Sequence, residues 1–253
     1  MDDPASDPEH LRKTVRQFRL INRLLSRTRS LLRRWIVKDA AGGLGAGGLR
    51  AGGLGADSGD LVTGAGDVSA GRRPVTLLEL GGGDAEIARW LYEALFRRGV
   101  PAKVTSIDSD TRVHGLAQEA ENGVPVSLVL GRVPDELPPG RIDYAYGNHF
   151  LHHLDDAEAV RLLRELRLRG AKRCLFNDLY RGYLPYFAYS LFAGLFLRGS
   201  FAYYDGRASI RRGFRPRELE SVARDAGWEG VTVFRRAPGH IVLLLEEDGR
   251  GAP

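Results

Sequence analysis

Val75-Thr76-Leu77-Leu78-Glu79-Leu80-Gly81-Gly82-Gly83-Asp84-Ala85 decides the fold of this chain of 253 residues. The near-continuous apolar run 75–80 reads as a strand buried on both faces, the glycines as a tight turn, and residues 84–98 as the helix that follows. The alternation recurs outward from there. Strands are expected at 103–107, 126–130, 142–146 and 173–177, with helices near 111–121 and 157–169. After an insertion, a helix starts near Pro216 and runs to Ala226. Residues 231–234 and 241–245 then close the domain as a hairpin around Pro238-Gly239. The reading is α/β: a seven-stranded, mostly parallel sheet with helices on both faces and an antiparallel C-terminal hairpin. Such sheets bind ligands at the carboxyl ends of their strands.

Composition narrows the classes. Hydrophobic residues make up 43% and charged ones 27%, enough apolar material for a packed core. One cysteine, Cys174, excludes a disulfide scaffold. The start, Met1-Asp2-Asp3-Pro4, lacks the order of a signal peptide. The longest uncharged stretch, Gly182 to Leu197, is 16 residues and contains Pro185, short of the roughly 18–20 a spanning helix needs. A cytoplasmic protein is expected.

The net charge of +5 is unevenly spread: residues 8–38 hold ten Lys/Arg against Glu9, a local +9, leaving −4 for the rest. Because 33 of the 37 basic residues are arginine, base composition of the gene explains the pI as well as nucleic acid does. Residues 1–39 read as a basic amphipathic helical arm, with Leu11, Val15, Phe18, Asn22 and Leu25 on one stripe and Asp7-Pro8 at its start. It packs on its own domain, covers a pocket, touches an anionic membrane or contacts nucleic acid. Residues 40–74 contain 12 glycines and read as a flexible linker. The main domain spans 75–246, with an insertion at 179–212 and a tail at 247–253.

The glycine turn does not suit phosphate. A dinucleotide fingerprint on Gly81 and Gly83 would need a small residue where Glu86 stands, and Asp84 and Glu86 would repel a pyrophosphate from the helix N-terminus. No Gly-Lys-Ser/Thr follows, which excludes a Walker-type loop. Glu79 adds a third acid, so a cationic ligand is favoured.

These residues resemble motif I of the class I S-adenosylmethionine-dependent methyltransferases, [DE]-x-G-x-G-x-G, standing here as Glu79 through Ala85. The resemblance implies a Rossmann-like fold and S-adenosylmethionine as cofactor. Gly81, Gly82 and Gly83 would approach its methionine and ribose portions, and Glu79 its amino group. Asp108, ending Thr105-Ser106-Ile107-Asp108, matches the acid that accepts from both ribose hydroxyls. The implied cofactor set extends to Ser109, Arg132, Val133 and Asn148. Two departures stand out: Ala85 replaces the third glycine, and the acid common after strand three is absent from Leu130-Gly131-Arg132-Val133. Asn148-His149-Phe150-Leu151-His152-His153-Leu154 and Phe214-Arg215-Pro216 through Trp228 resemble the small-molecule members of that family, in the methyltransferase type 11/12 and quinone-biosynthesis-like group.

Methyl transfer to a hydroxyl calls for alignment, exclusion of water and a base. His149, His152, His153 and Asp178 are the candidates, each with a structural role as the competing explanation. No metal is expected. Residues 180–204 hold ten of the chain's 22 aromatics, read as a helical lid. Tyr180, Tyr183, Tyr186 and Phe187, with Phe18 from the arm, are the expected substrate contacts. The expected activity is O-methylation of a phenolic, polyketide-like or quinone-like compound in natural product biosynthesis. Nucleic acid is disfavoured, since Gly147-Asn148-His149-Phe150 has no proline where amino-methylating nucleic-acid enzymes carry one. Peripheral membrane contact, a homodimer and a non-methylating protein that retains the fold stay open.

Overall fold

A computed structural model describes residues 26–42, 73–119, 123–197 and 202–247. Phe18, most of the expected arm and most of the expected linker lie outside them. Three helical stretches, Thr28–Leu32, Arg33–Val37 (π-helical) and Lys38–Gly42, follow one another as α1. The arm therefore continues as helix three residues beyond the expected boundary at 39. Then come β1 (Val75–Leu80), α2 (Glu86–Phe96), β2 (Ala102–Asp108), α3 (Thr111–Glu119), β3 (Val126–Leu130) and β4 (Tyr144–Asn148). A 3₁₀ turn (Leu151–His153) leads to α4 (Asp156–Leu168) and β5 (Arg173–Leu179). The insertion forms α5 (Tyr183–Phe196) and α6 (Ala202–Arg212). The chain continues with α7 (Pro216–Asp225), β6 (Gly230–Arg236) and β7 (His240–Glu246).

The seven strands order as β3-β2-β1-β4-β5-β7-β6. All neighbours are parallel except β5–β7 and β6–β7. The order reverses between β1 and β4, so their carboxyl ends bound the crevice where sheets of this kind take ligands. Strand four was expected at 142–146 and lies two residues later. Asp143 is instead used as a bracket, accepting from the Thr76 backbone N–H and hydroxyl at 2.9 Å each. Gly147 and Asn148 are weak strand formers, yet pairing with β1 and β5 on either side carries the strand through them.

Each face of the sheet has its own core, because strand side chains alternate. Leu78, Leu80, Ala145 and Phe176 meet Leu162, Leu163 and Leu166 of α4 and Leu219, Val222 and Ala223 of α7. On the opposite face Leu77, Tyr144, Tyr146 and Leu175 meet Leu91 and Leu95 of α2 and Leu32, Ile36 and Val37 of α1. The basic arm thus supplies part of the layer over β4 and β5. Asp39 anchors it, accepting from the Tyr144 hydroxyl at 2.7 Å and pairing with Arg173 at 3.1 Å.

Ile36 is fully buried in that layer. Ile36→Ala should lower the unfolding free energy by about 2–4 kcal/mol in urea denaturation. An unchanged midpoint would mean that α1 is not part of the domain core.

Candidate functional site

The register of the central strands builds the site from below. Glu79 stands opposite Ser106 on β2 and Tyr146 on β4. All three side chains therefore share one face at one level. The Ser106 hydroxyl donates to Glu79 Oε2 at 2.7 Å, with both groups buried. Burial raises the Glu79 carboxyl from 4.5 to about 8, and the neighbouring Asp84 and Asp108 push in the same direction. The Tyr146 phenol is raised too, by burial first and then by Glu79, and its buried hydroxyl has no partner of hydrogen-bond geometry.

Above this acid the chain makes its glycine turn. A Cβ on Gly82 would collide with Ser106 Oγ and with the Glu79 carboxylate, so only glycine lets the backbone cross there. Gly81 and Gly83 take φ of 64° and 56°, and Ala85 is held at 55°. A non-glycine residue in that region is strained by roughly 1–2 kcal/mol. The helix begins after it, at Glu86, two residues later than expected. Asp108 closes the turn from β2: its Oδ2 accepts from the Gly83 N–H at 2.8 Å and its Oδ1 from the Asp110 N–H at 2.9 Å. Each carboxylate oxygen keeps a second lone pair, and among the described residues no ion pair occupies it. That leaves acceptors for two hydroxyls.

The expected cofactor residues divide. Glu79, Gly81, Gly82, Gly83 and Asp108 converge on the turn, and Ser109 follows at its exposed edge. Arg132 points its guanidinium at Glu158 of α4, 3.2 Å away, so the side chain does not reach the turn. Its neighbour Val133 is buried in the core. Asn148 lies at the end of β4, where its Oδ1 accepts from Asn177 Nδ2 at 3.1 Å and from Thr28 Oγ1 at 2.5 Å. Ser26, Thr28 and Asn177 were not foreseen. Their signal was one of register, since Asn148 and Asn177 are lateral partners. Nothing in the sequence joined either to the arm.

The acid–base candidates form two pairs. His152 Nδ1 and Asp178 Oδ1 are 2.7 Å apart and almost wholly buried. Asp178 falls to about 2: His152 overcomes the opposing cost of burial, which is the larger single influence. His149, with φ of 55°, places Nε2 at 3.0 Å from His240 Nε2, the two rings stacked. Burial and the facing imidazole lower His149 to about 3. Burial likewise lowers His240 to about 4. His240 was missed: it opens β7 opposite Leu179, a contact only the antiparallel hairpin reveals. His153 is exposed, its ring 4.2 Å from that of His152. Among the described residues no cluster has the make-up of a metal site.

Beyond Asp178 the chain enters the insertion. A cavity of about 380 Å³ is lined by Tyr183, Tyr186, Phe187, Ile210 and the arginines Arg181, Arg211 and Arg215. Three expected substrate contacts therefore share one cavity. Tyr180 does not line it; its ring lies under Arg235.

Residues 78–168, from β1 to the end of α4, match the methyltransferase domain family. That match covers about a third of the chain. A methyltransferase from Aquifex aeolicus, described as dependent on that cofactor, is similar in structure. Identity is 18% and the TM-score 0.49, over 68% of this chain and 81% of that one. LepI, solved with S-adenosylmethionine, gives 15% identity and a TM-score of 0.50 over 72% of this chain and 45% of LepI. Human N-acetylserotonin methyltransferase, solved with the same compound, gives 17% and 0.48 over 68% and 47%. This chain thus spans less than half the length of the latter two. No curated protein matches the sequence.

The pH dependence of stability tests the buried acid. With its folded pKa raised from 4.5 to about 8, Glu79 stabilises fully below 4.5 and loses that contribution as pH rises through 8. In denaturant titrations wild type should lose on the order of 2–4 kcal/mol between mildly acidic and alkaline pH that Glu79→Gln retains. Parallel profiles would mean that Glu79 titrates normally.

Proposed function

We propose that the protein transfers the methyl group of S-adenosylmethionine to an oxygen of a small aromatic acceptor, of phenolic, polyketide-like or quinone-like type. The observation that carries the cofactor is the convergence of Glu79, Asp84 and Asp108 on a glycine turn whose basic neighbour, Arg89, is turned onto the Asp84 and Ala117 carbonyls. A ligand bearing an ammonium and a sulfonium answers that field, whereas a pyrophosphate opposes it. Asp108 keeps free lone pairs for the two ribose hydroxyls, and the backbone at 81–83 gives close approach.

When bound, the cofactor supplies an activated methyl carbon on a positive sulfur that departs as a neutral thioether. The chain aligns the acceptor oxygen and removes its proton. The aromatic cavity of α5 and α6 opens three residues past Asp178, on the carboxyl side of the sheet, and supports a flat acceptor. His149 is the residue proposed to relay the proton and not to hold it: burial keeps its imidazole neutral, it follows Asn148 directly, and its strained backbone turns it toward His240. His152 is sealed with Asp178 and acts as a positioning residue that ties the 3₁₀ turn to β5.

The described arginines of α1 also favour a small acceptor over nucleic acid. Arg29 pairs with Glu86, Arg29 and Arg33 lie over Trp90, and Arg34 lies over Trp35. Arg29 is thus charge-paired within the domain, and Arg33 and Arg34 are stacked on its aromatic rings.

The reading is tested with a panel of phenols and hydroxyquinones, following methyl gain by mass. His149→Ala should lower kcat by roughly a hundredfold with little change in KM for the cofactor. Methylation at the wild-type rate would remove His149 from the mechanism. No transfer to any acceptor, despite cofactor binding, would favour a non-methylating role.

A further inference from the structure

Helix α5 has its exposure the wrong way round for a surface helix. Fourteen residues, Tyr183 to Phe196, contain no charge. The open face recurs at helical spacing through Leu184 (81% exposed), Phe187, Leu191, Phe192, Leu195 and Phe196 (69%). A helix on a soluble domain ordinarily turns such residues inward. Here the inward face is already satisfied: Tyr189 donates to the Ala202 carbonyl at 2.6 Å, Ala193 is fully buried, and Gly206 leaves the space Tyr189 needs. The apolar outer face is therefore not a packing default.

The segment that carries that face is basic, and Arg181, Arg211 and Arg215 line the cavity wall beside Tyr183 and Phe187. From residue 179 to 217 the sequence holds seven arginines and a single acid, Asp205. Arg181 is paired with Glu218, and Arg207 bonds the hydroxyls of Tyr186 and Tyr203. Arg211, Arg212, Arg215 and Arg217 are exposed and have no ion-pair partner among the described residues. At 1.5 Å per residue α5 is about 21 Å long, short of a bilayer's hydrocarbon core, so it suits the interface and not a crossing. Among the described residues no helix is long and apolar enough to cross.

We propose that α5 docks on an anionic lipid bilayer, its apolar face in the acyl boundary and the arginines around it on the headgroups. Tyr183 and Phe187 belong to both the exposed face and the cavity wall, so the docked face adjoins the cavity and gives an apolar acceptor a route from the membrane. The docking itself stands without the methyl-transfer reading.

Sedimentation of the full chain with phosphatidylcholine vesicles, with and without about one-third phosphatidylglycerol, tests it. The protein should pellet with the anionic vesicles, at least about tenfold less with the neutral ones, and less as salt is raised. Leu184→Glu with Leu191→Glu should abolish pelleting at an unchanged urea midpoint. Arg212→Glu with Arg217→Glu should remove the preference for anionic lipid. Three results would overturn the proposal: no pelleting with either vesicle, equal pelleting of the leucine variant, or a dimer in light scattering that this variant dissolves. The last would make a second copy the occupant. Binding of S-adenosylhomocysteine, measured separately, keeps these outcomes apart from failure of the enzymatic reading.

Discussion

A carboxyl group buried beneath a glycine turn is the constraint around which this domain is arranged. Parallel pairing in fixed register puts Glu79, Ser106 and Tyr146 side by side. Burying an acid costs several kcal/mol unless it is neutralised or hydrogen-bonded. The protein does both, through the Ser106 hydroxyl and a pKa near 8. Gly82 must then be glycine, because the acid and the serine occupy the place of its Cβ. Asp108 follows from the same geometry, since the turn's Gly83 N–H points at it. The result is a neutral buried acid beneath a turn flanked by the carboxylates of Asp84 and Asp108.

Two additions complete what the sheet begins. Helix α1 seals one face of β4 and β5, and the residues at its start reach the rim, where Thr28 bonds both Asn148 and Asn177. The arm is thus part of the core and part of the site's border. The insertion after β5 contributes the aromatic cavity, and α6 rests against the 3₁₀ turn that carries His152. The sheet edge and the insertion are joined through that turn.

Much of this was legible from local pattern. The buried strand 75–80, the glycine turn, the acid at 108 and the closing hairpin each carry a signal within a few residues. Strand four was misplaced because Gly147 and Asn148 have poor strand propensity, which pairing on both sides overrides. The long-range partners were not legible. His240 meets His149 across 91 positions, and Asn177 meets Thr28 across 149. Such contacts depend on which strands become neighbours, and no local periodicity encodes them. The pairing of the Arg132 guanidinium with Glu158 on α4 is another contact that the local sequence did not show.

Calorimetric titration of the purified protein with S-adenosylhomocysteine, with NADH in parallel, tests the central claim most directly. Micromolar binding of the first is expected, none of the second, and loss of the first in Asp108→Ala. Binding of NADH, or no binding of S-adenosylhomocysteine, would contradict the assignment of the glycine turn to a cationic cofactor.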